Sequence, residues 1–201
     1  MKQEQMATEK GRLGGRLPLL SPKELDRPAE KLYDYMVDTK VSWAKKSGFT
    51  AALEDGRLIG PFNPFLYSPK TSRALCDWLD ADMENSSLSE RARQIIILTV
   101  GVSCGAAYEV YAHTAVGKKA GLKDEEIASI KAATEPAGLS DEESAAYRFA
   151  YSLASSKKVD TATYQQAIKA AGEEGVVDMV HLISLYLTTS TFLNAFEIPA
   201  P

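Results

Sequence analysis

The chain has 201 residues, 45% of them hydrophobic, and a formal net charge of −4 from 23 Lys and Arg against 27 Asp and Glu, a size and balance that suit one packed domain. No long basic run supplies the electrostatic footprint of a nucleic-acid binder, so DNA and RNA are excluded as expected partners. Cys76 and Cys104 are too few and too widely spaced for a disulfide framework or a four-ligand zinc site, which suits a reducing, cytoplasmic setting.

Residues 1–20 read as a flexible arm and 21–201 as the folded domain, because Met1 to Arg16 mixes Lys, Gln, Glu, Thr and Gly without the apolar centre of a signal peptide. Ser21-Pro22-Lys23-Glu24 predicts a capped turn leading into a helix that runs to about Lys46. The prolines and glycines between Gly56 and Pro69 argue against regular structure, although Phe62, Phe65 and Tyr67 make this an unusually apolar loop. Ser68-Pro69 opens a helix to about Glu84.

Ser89 starts the next segment, and Ile95 to Val100 would suit a strand as well as a helix; the good helix formers ahead of it favour a buried helix. Ala106 to Ala120 forms a further helix closed by Gly121, followed by a short amphipathic helix over Lys123 to Ala133. Ser140-Asp141-Glu142-Glu143 is a capping box, and Asp160 caps Thr161 to Ala171. Gly172 to Gly175 breaks that helix before a last one from about Val176 to Phe196. This last segment comes nearest to the ~18 uninterrupted apolar residues of a membrane span, but Asp178, His181 and several hydroxyls interrupt it, so no membrane partner is expected.

The chemistry concentrates in Tyr108-Glu109-Val110-Tyr111-Ala112-His113. Glu109 and His113 are four residues apart and share one helix face, which continues to the apolar Val116 and Ala120. A carboxylate beside an imidazole can orient and relay a proton, and apolar surroundings shift pKa values. Two histidines with scattered acids give no convergent metal set, since Glu109 and His113 supply only two ligands. His181 shares a stripe with Ser184, Leu185 and Thr188 and reads as a satisfied core histidine.

Arg93-Gln94 before an apolar helix, Tyr108-Glu109-x-x-x-His113, and Ala120-Gly121-Leu122 ahead of an acidic helix start together resemble the carboxymuconolactone decarboxylase family, within the alkylhydroperoxidase D-like group. Gly60-Pro61-Phe62-Asn63 and Leu193-Asn194-Ala195 extend the resemblance over most of the chain. It implies an all-α, single-domain helical bundle that assembles into homotrimers or homohexamers, with active sites near subunit contacts. The peroxidase branch of the family carries Cys-x-x-Cys-x-x-x-His, but here Ala106 and Glu109 stand at the cysteine positions.

The resemblance therefore implies a decarboxylase-like enzyme acting on a small organic acid or lactone, with no metal or organic cofactor. In that reading His113 is the general acid or base, and Glu109 is the neighbour that stabilises its charged form. Gln94, Tyr108, Phe62, Asn63 and Cys104 are the expected substrate contacts. The family commonly has glutamate at the position of Gln94, and an amide cannot exchange a proton as a carboxylate does. Two alternatives stand beside it: a thiol-dependent hydroperoxidase using Cys104 with Cys76, and a catalytically silent oligomeric binding protein.

Overall fold

The computed structural model describes residues 13–201. After a single turn at Pro22–Glu24 the chain enters helix α1 (Arg27–Met36), whose first turn is capped by the Asp26 side chain accepting from the Ala29 amide. A π-helical turn at Val37–Val41 carries α1 without a break into α2 (Ser42–Ser47). The next helices are α3 (Phe62–Leu66), α4 (Pro69–Asn85), α5 (Glu90–Cys104), α6 (Ala107–Lys119), α7 (Asp124–Lys131), α8 (Asp141–Ser156) and α9 (Thr161–Ala195). Among the described residues the only β pairing is an isolated bridge between Ala52 and Leu58. The protein is all-α, as its sequence implies.

α5 is the axis of the fold. Ala92 to Gly101 are all buried, so the segment has no polar face to betray a helical period. Met179, Leu182 and Ile183 of α9 and Ala146, Phe149 and Ala150 of α8 pack with its Ile96, Ile97 and Val100. Ile95 and Leu98 meet Leu122, Ile127 and Ile130 around α7. Among the described helices α9 is the one long and apolar enough to cross a membrane, and its Met179, Leu182, Ile183 and Leu185 are buried in the protein's own core. Its helical path is interrupted at Gly172 (φ 72°, ψ −179°), inside the stretch where the sequence predicts a break.

A second core lies between α1, α2, α3 and α6 and the segment joining them, with Met36, Ala44, Phe65 and Tyr108 at its centre. The loop expected between Gly56 and Pro69 contains α3, five consecutive buried residues. Pro64 is tolerated there because it lies in the first turn, where no intrahelical N–H bond is lost. Residues 13–20 of the expected arm lie against the domain: the Arg16 amide donates to the Phe196 carbonyl (2.7 Å) and the Leu20 amide to Asn63 Oδ1 (3.0 Å). The remainder of that arm falls outside the described residues.

Candidate active site

The buried face of α6 runs through Tyr108, Glu109, Ala112, His113, Val116 and Gly117, the i, i+4 stripe read from the sequence. α6 is set on its course by the turn at Gly105, whose φ of 66° is reached without strain only by glycine. Its stripe forms one wall of a cavity of about 70 Å³. Lys40 and Trp43 from the α1–α2 region, Phe62 and Phe65 from α3, Leu79 and Met83 from α4, and Tyr186 and Thr189 from α9 close the other sides.

The hydrogen-bond chain at His113 fixes its tautomer. The exposed Glu90 side chain accepts from Gln94 Nε2 (2.9 Å), so Gln94 turns its carbonyl oxygen toward His113 Nδ1 (2.8 Å). An amide oxygen only accepts, hence Nδ1 carries hydrogen and Nε2 keeps its lone pair. Tyr186 sits edge-on to the imidazole, with ring centroids 4.9 Å apart and planes at 90°. Burial, reinforced by the nearby Arg93 guanidinium, lowers the His113 pKa from 6.5 to about 3. Arg93 is held in place by Asp82 (2.7 Å).

Glu109 belongs to a different network. Its Oε2 accepts from Ser190 Oγ (3.1 Å), while Oε1 is the one buried side-chain polar atom among the described residues without a hydrogen-bond partner. Burial pushes its pKa well above the usual carboxylate value, against the opposing pull of the Ser190 hydroxyl. An ionised carboxylate with a single hydroxyl donor in this setting would be poorly compensated, so the neutral acid is the favoured form. Burial thus favours the uncharged form of both site groups.

This corrects the expectation that Glu109 keeps His113 protonated: Glu109 bonds Ser190, His113 bonds Gln94, and shared desolvation drives both toward neutrality. Gln94 does not line the cavity but stands behind the imidazole and orients it. The Tyr108 ring lines the cavity, yet its hydroxyl is consumed by the Thr50 carbonyl (2.6 Å), which leaves no hydroxyl for substrate. Gly60 (φ 65°) makes that placement possible, since a Cβ there would lie 2.3 Å from the Tyr108 ring.

Phe62 lines the cavity as expected, whereas Asn63 does not; its amide holds the Leu20 amide and the Pro18 carbonyl (3.0 Å each). Cys104 is also outside the cavity wall. It ends α5 beside Ser190, and burial raises its pKa. Its carbonyl accepts from Asn194 Nδ2 (2.7 Å), which pins α9 to α5. His181 is not in the core: it is exposed, with its Nδ1 accepting from Trp78 Nε1 (3.3 Å).

Lys40, Trp43, Tyr186 and Ser190 were not singled out by the sequence. Lys40 had a signal, because it occupies the buried stripe Leu32, Met36, Lys40, Ala44 at a position where an apolar residue belongs. It is only 8% exposed, and its ammonium is paired with Asp80, which also accepts from the Tyr35 hydroxyl. Among the described residues no group of three or more His, Cys, Asp or Glu side chains is placed to hold a metal ion.

The arrangement of helices is the alkylhydroperoxidase D-like fold. Residues 69–151, covering α4 through most of α8, match the carboxymuconolactone decarboxylase family. An uncharacterized peroxidase-related protein with an alkylhydroperoxidase AhpD core, from Ralstonia eutropha JMP134, superimposes with a TM-score of 0.71 at 15% identity, over 94% of this chain and 93% of that one. A peroxidase-related protein from Silicibacter sp. TM1040 gives 0.70 at 14% identity, over 96% and 94%. The debrominase Bmp8, as a cysteine-to-alanine variant in complex with 2,3,4-tribromopyrrole, gives 0.68 at 14% identity, over 93% and 94%. No curated protein is significantly similar to the chain in sequence.

Proposed function

We propose that the chain is a decarboxylase-like enzyme that transfers a proton to carbon in a small organic acid or lactone, with Glu109 as general acid and His113 as the proton relay that restores it. The observation that carries this reading is a pair of adjacent buried proton carriers, both held neutral, on the wall of one mostly apolar cavity. In such a reaction the bond from carbon to the departing carboxylate breaks, carbon dioxide leaves, and the electron pair moves into a conjugated carbonyl. Glu109 then gives its proton to carbon and becomes a carboxylate. That new charge favours protonation of His113 from solvent, and His113 returns the proton to Glu109, so one solvent proton is consumed per turnover.

The test is carbon dioxide release, with deuterium incorporation from D₂O, on carboxymuconolactone and related β,γ-unsaturated acids. Glu109→Gln and His113→Ala should each lower turnover by about 10²-fold or more, the range of general acid–base catalysis, without loss of helical content. Full turnover in either variant overturns the assignment.

A second reading, thiol-dependent hydroperoxide reduction, is favoured by the names of two structural relatives and by Cys104 standing beside Ser190, the partner of Glu109. Hydroperoxide turnover lost on alkylating Cys104 would select it; turnover of the acid that survives alkylation selects the first. The proposal includes a cytoplasmic, cyclic homo-oligomer, a trimer or hexamer. The exposed Trp78, Met83, Val177 and Val180 on α4 and α9 support that part, and sedimentation equilibrium tests it.

A further inference from the structure

We propose that Lys40 is the anion clamp of the cavity: its ammonium holds a second carboxylate of the substrate, or the carbonyl oxygen that becomes an enolate as carbon dioxide leaves, and so aims the molecule at Glu109 and His113. The inference rests on the preceding reading in taking this cavity as the place of reaction and in using loss of carbon dioxide to choose the oxygen held; anion binding by Lys40 itself does not depend on the roles of Glu109 and His113.

With Glu109 and His113 neutral, Lys40 bears the one full charge among the described residues lining the cavity. The sequence places that charge at a core position of a stripe otherwise built from Leu32, Met36 and Ala44. It stands on the π-helical turn Val37–Val41, a local widening of the helix that recurs at functional sites. Asp80 accounts for its burial, since an unpaired ammonium would be poorly tolerated there.

That pairing does not exhaust the lysine. An ammonium has three donors, and Asp80 is its one hydrogen-bond partner among the described residues. Asp80 is itself anchored by the Tyr35 hydroxyl, and Tyr35 in turn lies under the Arg73 guanidinium, 3.8 Å from its ring centroid. The counter-ion is thereby fixed, and the two remaining N–H donors are free to meet a ligand oxygen.

Reaction chemistry decides which oxygen this is. Loss of carbon dioxide moves negative charge off the departing carboxylate and into the electron sink. A fixed cation at the departing group would stabilise the reactant and slow the step, whereas at the sink, or at a second carboxylate, it favours or leaves unchanged the transition state. Lys40 therefore selects substrates with an anionic oxygen remote from the carbon that Glu109 protonates.

Binding of 2-furoate and its neutral isostere 2-furamide tests this without turnover, using fluorescence of the cavity-wall Trp43 in a Trp78→Phe background that removes the other tryptophan. The full chain should bind furoate about ten-fold or more tightly than furamide, the worth of a charge-assisted hydrogen bond. Lys40→Met should abolish that preference while furamide binding persists, an outcome that a merely structural ion pair with Asp80 would not produce. Equal affinity for acid and amide in the chain with Lys40 present, no furoate binding at millimolar concentration, or a preference that survives Lys40→Met would overturn the proposal. The acid-to-amide comparison needs no lysine variant, so it holds even if Lys40→Met unfolds. Loss of the acid–base reading through active Glu109 or His113 variants would leave this result standing.

Discussion

Replacing Glu109 with Gln should change the pH dependence of stability in a way set by two opposed protonation equilibria. In the folded protein Glu109 holds its proton above 4.5, where the unfolded chain releases it, so its contribution declines as pH rises from 4.5 toward its raised folded value. His113 does the reverse: with a folded pKa of about 3 against 6.5, its contribution is lost as pH falls from 6.5 to 3, by ~5 kcal/mol at most. Each slope is at most about 1.4 kcal/mol per pH unit, and the two are opposite in sign where their windows overlap above pH 4.5. Glu109→Gln removes one of them. The buried amide adds a pH-independent cost of ~1–3 kcal/mol for donors without acceptors, but the difference between variant and parent should move in the variant's favour as pH rises from 4.5 to 6.5, by up to about 1.4 kcal/mol per pH unit. Urea unfolding at half-unit pH intervals, at one protein concentration, measures that difference. A flat difference across this window would show Glu109 ionised in the folded protein and refute the reasoning.

Three further perturbations follow from the same geometry. Gln94→Glu puts a carboxylate where an amide oxygen now lies 2.8 Å from His113 Nδ1, so the His113 pKa should rise by ~1–3 units and the acid limb of a pH–rate profile should move up with it; an unmoved limb contradicts the tautomer assignment. Gly60→Ala forces a Cβ into the Tyr108 ring at a positive φ, which should cost about 3 kcal/mol and lower the melting temperature by roughly 6–12 °C by calorimetry; an unchanged melt contradicts the close approach. Arg91 binds Glu143 (2.5 Å) and Glu126 (3.1 Å), which are themselves buried. Burial opposes ionisation of Glu143, yet Arg91 holds its pKa below the usual value. Arg91→Ala should therefore cost ~2 kcal/mol near pH 7 in urea unfolding and less below the folded pKa of Glu143, and a cost that grows on acidification would argue against the ion pair.

The helices whose signals are local were legible in the sequence. Ser140 with Glu143 forms the expected capping box, Asp160 caps α9, and the α6 stripe places Glu109 and His113 on one buried face. α3 was hidden because what stabilises it is burial of five consecutive residues in a proline-punctuated stretch, which no period reveals. The α9 contribution was not read at all: Tyr186 and Ser190 meet the site, while His181, expected in the core, is exposed. The protonation states were beyond reach for a related reason. An acid and an imidazole one turn apart suggest an ion pair, and only the desolvation imposed by α9 and Trp43, remote in sequence, reverses that.

Nitrogen-15 NMR of the two histidine rings in the full chain tests the site most directly. The geometry predicts that His113 remains a neutral imidazole with hydrogen on Nδ1 from pH 8 down to about 4, as its pKa of about 3 and its bond to Gln94 require. A His113 ring that titrates near 6.5, or that carries its hydrogen on Nε2, would contradict the account.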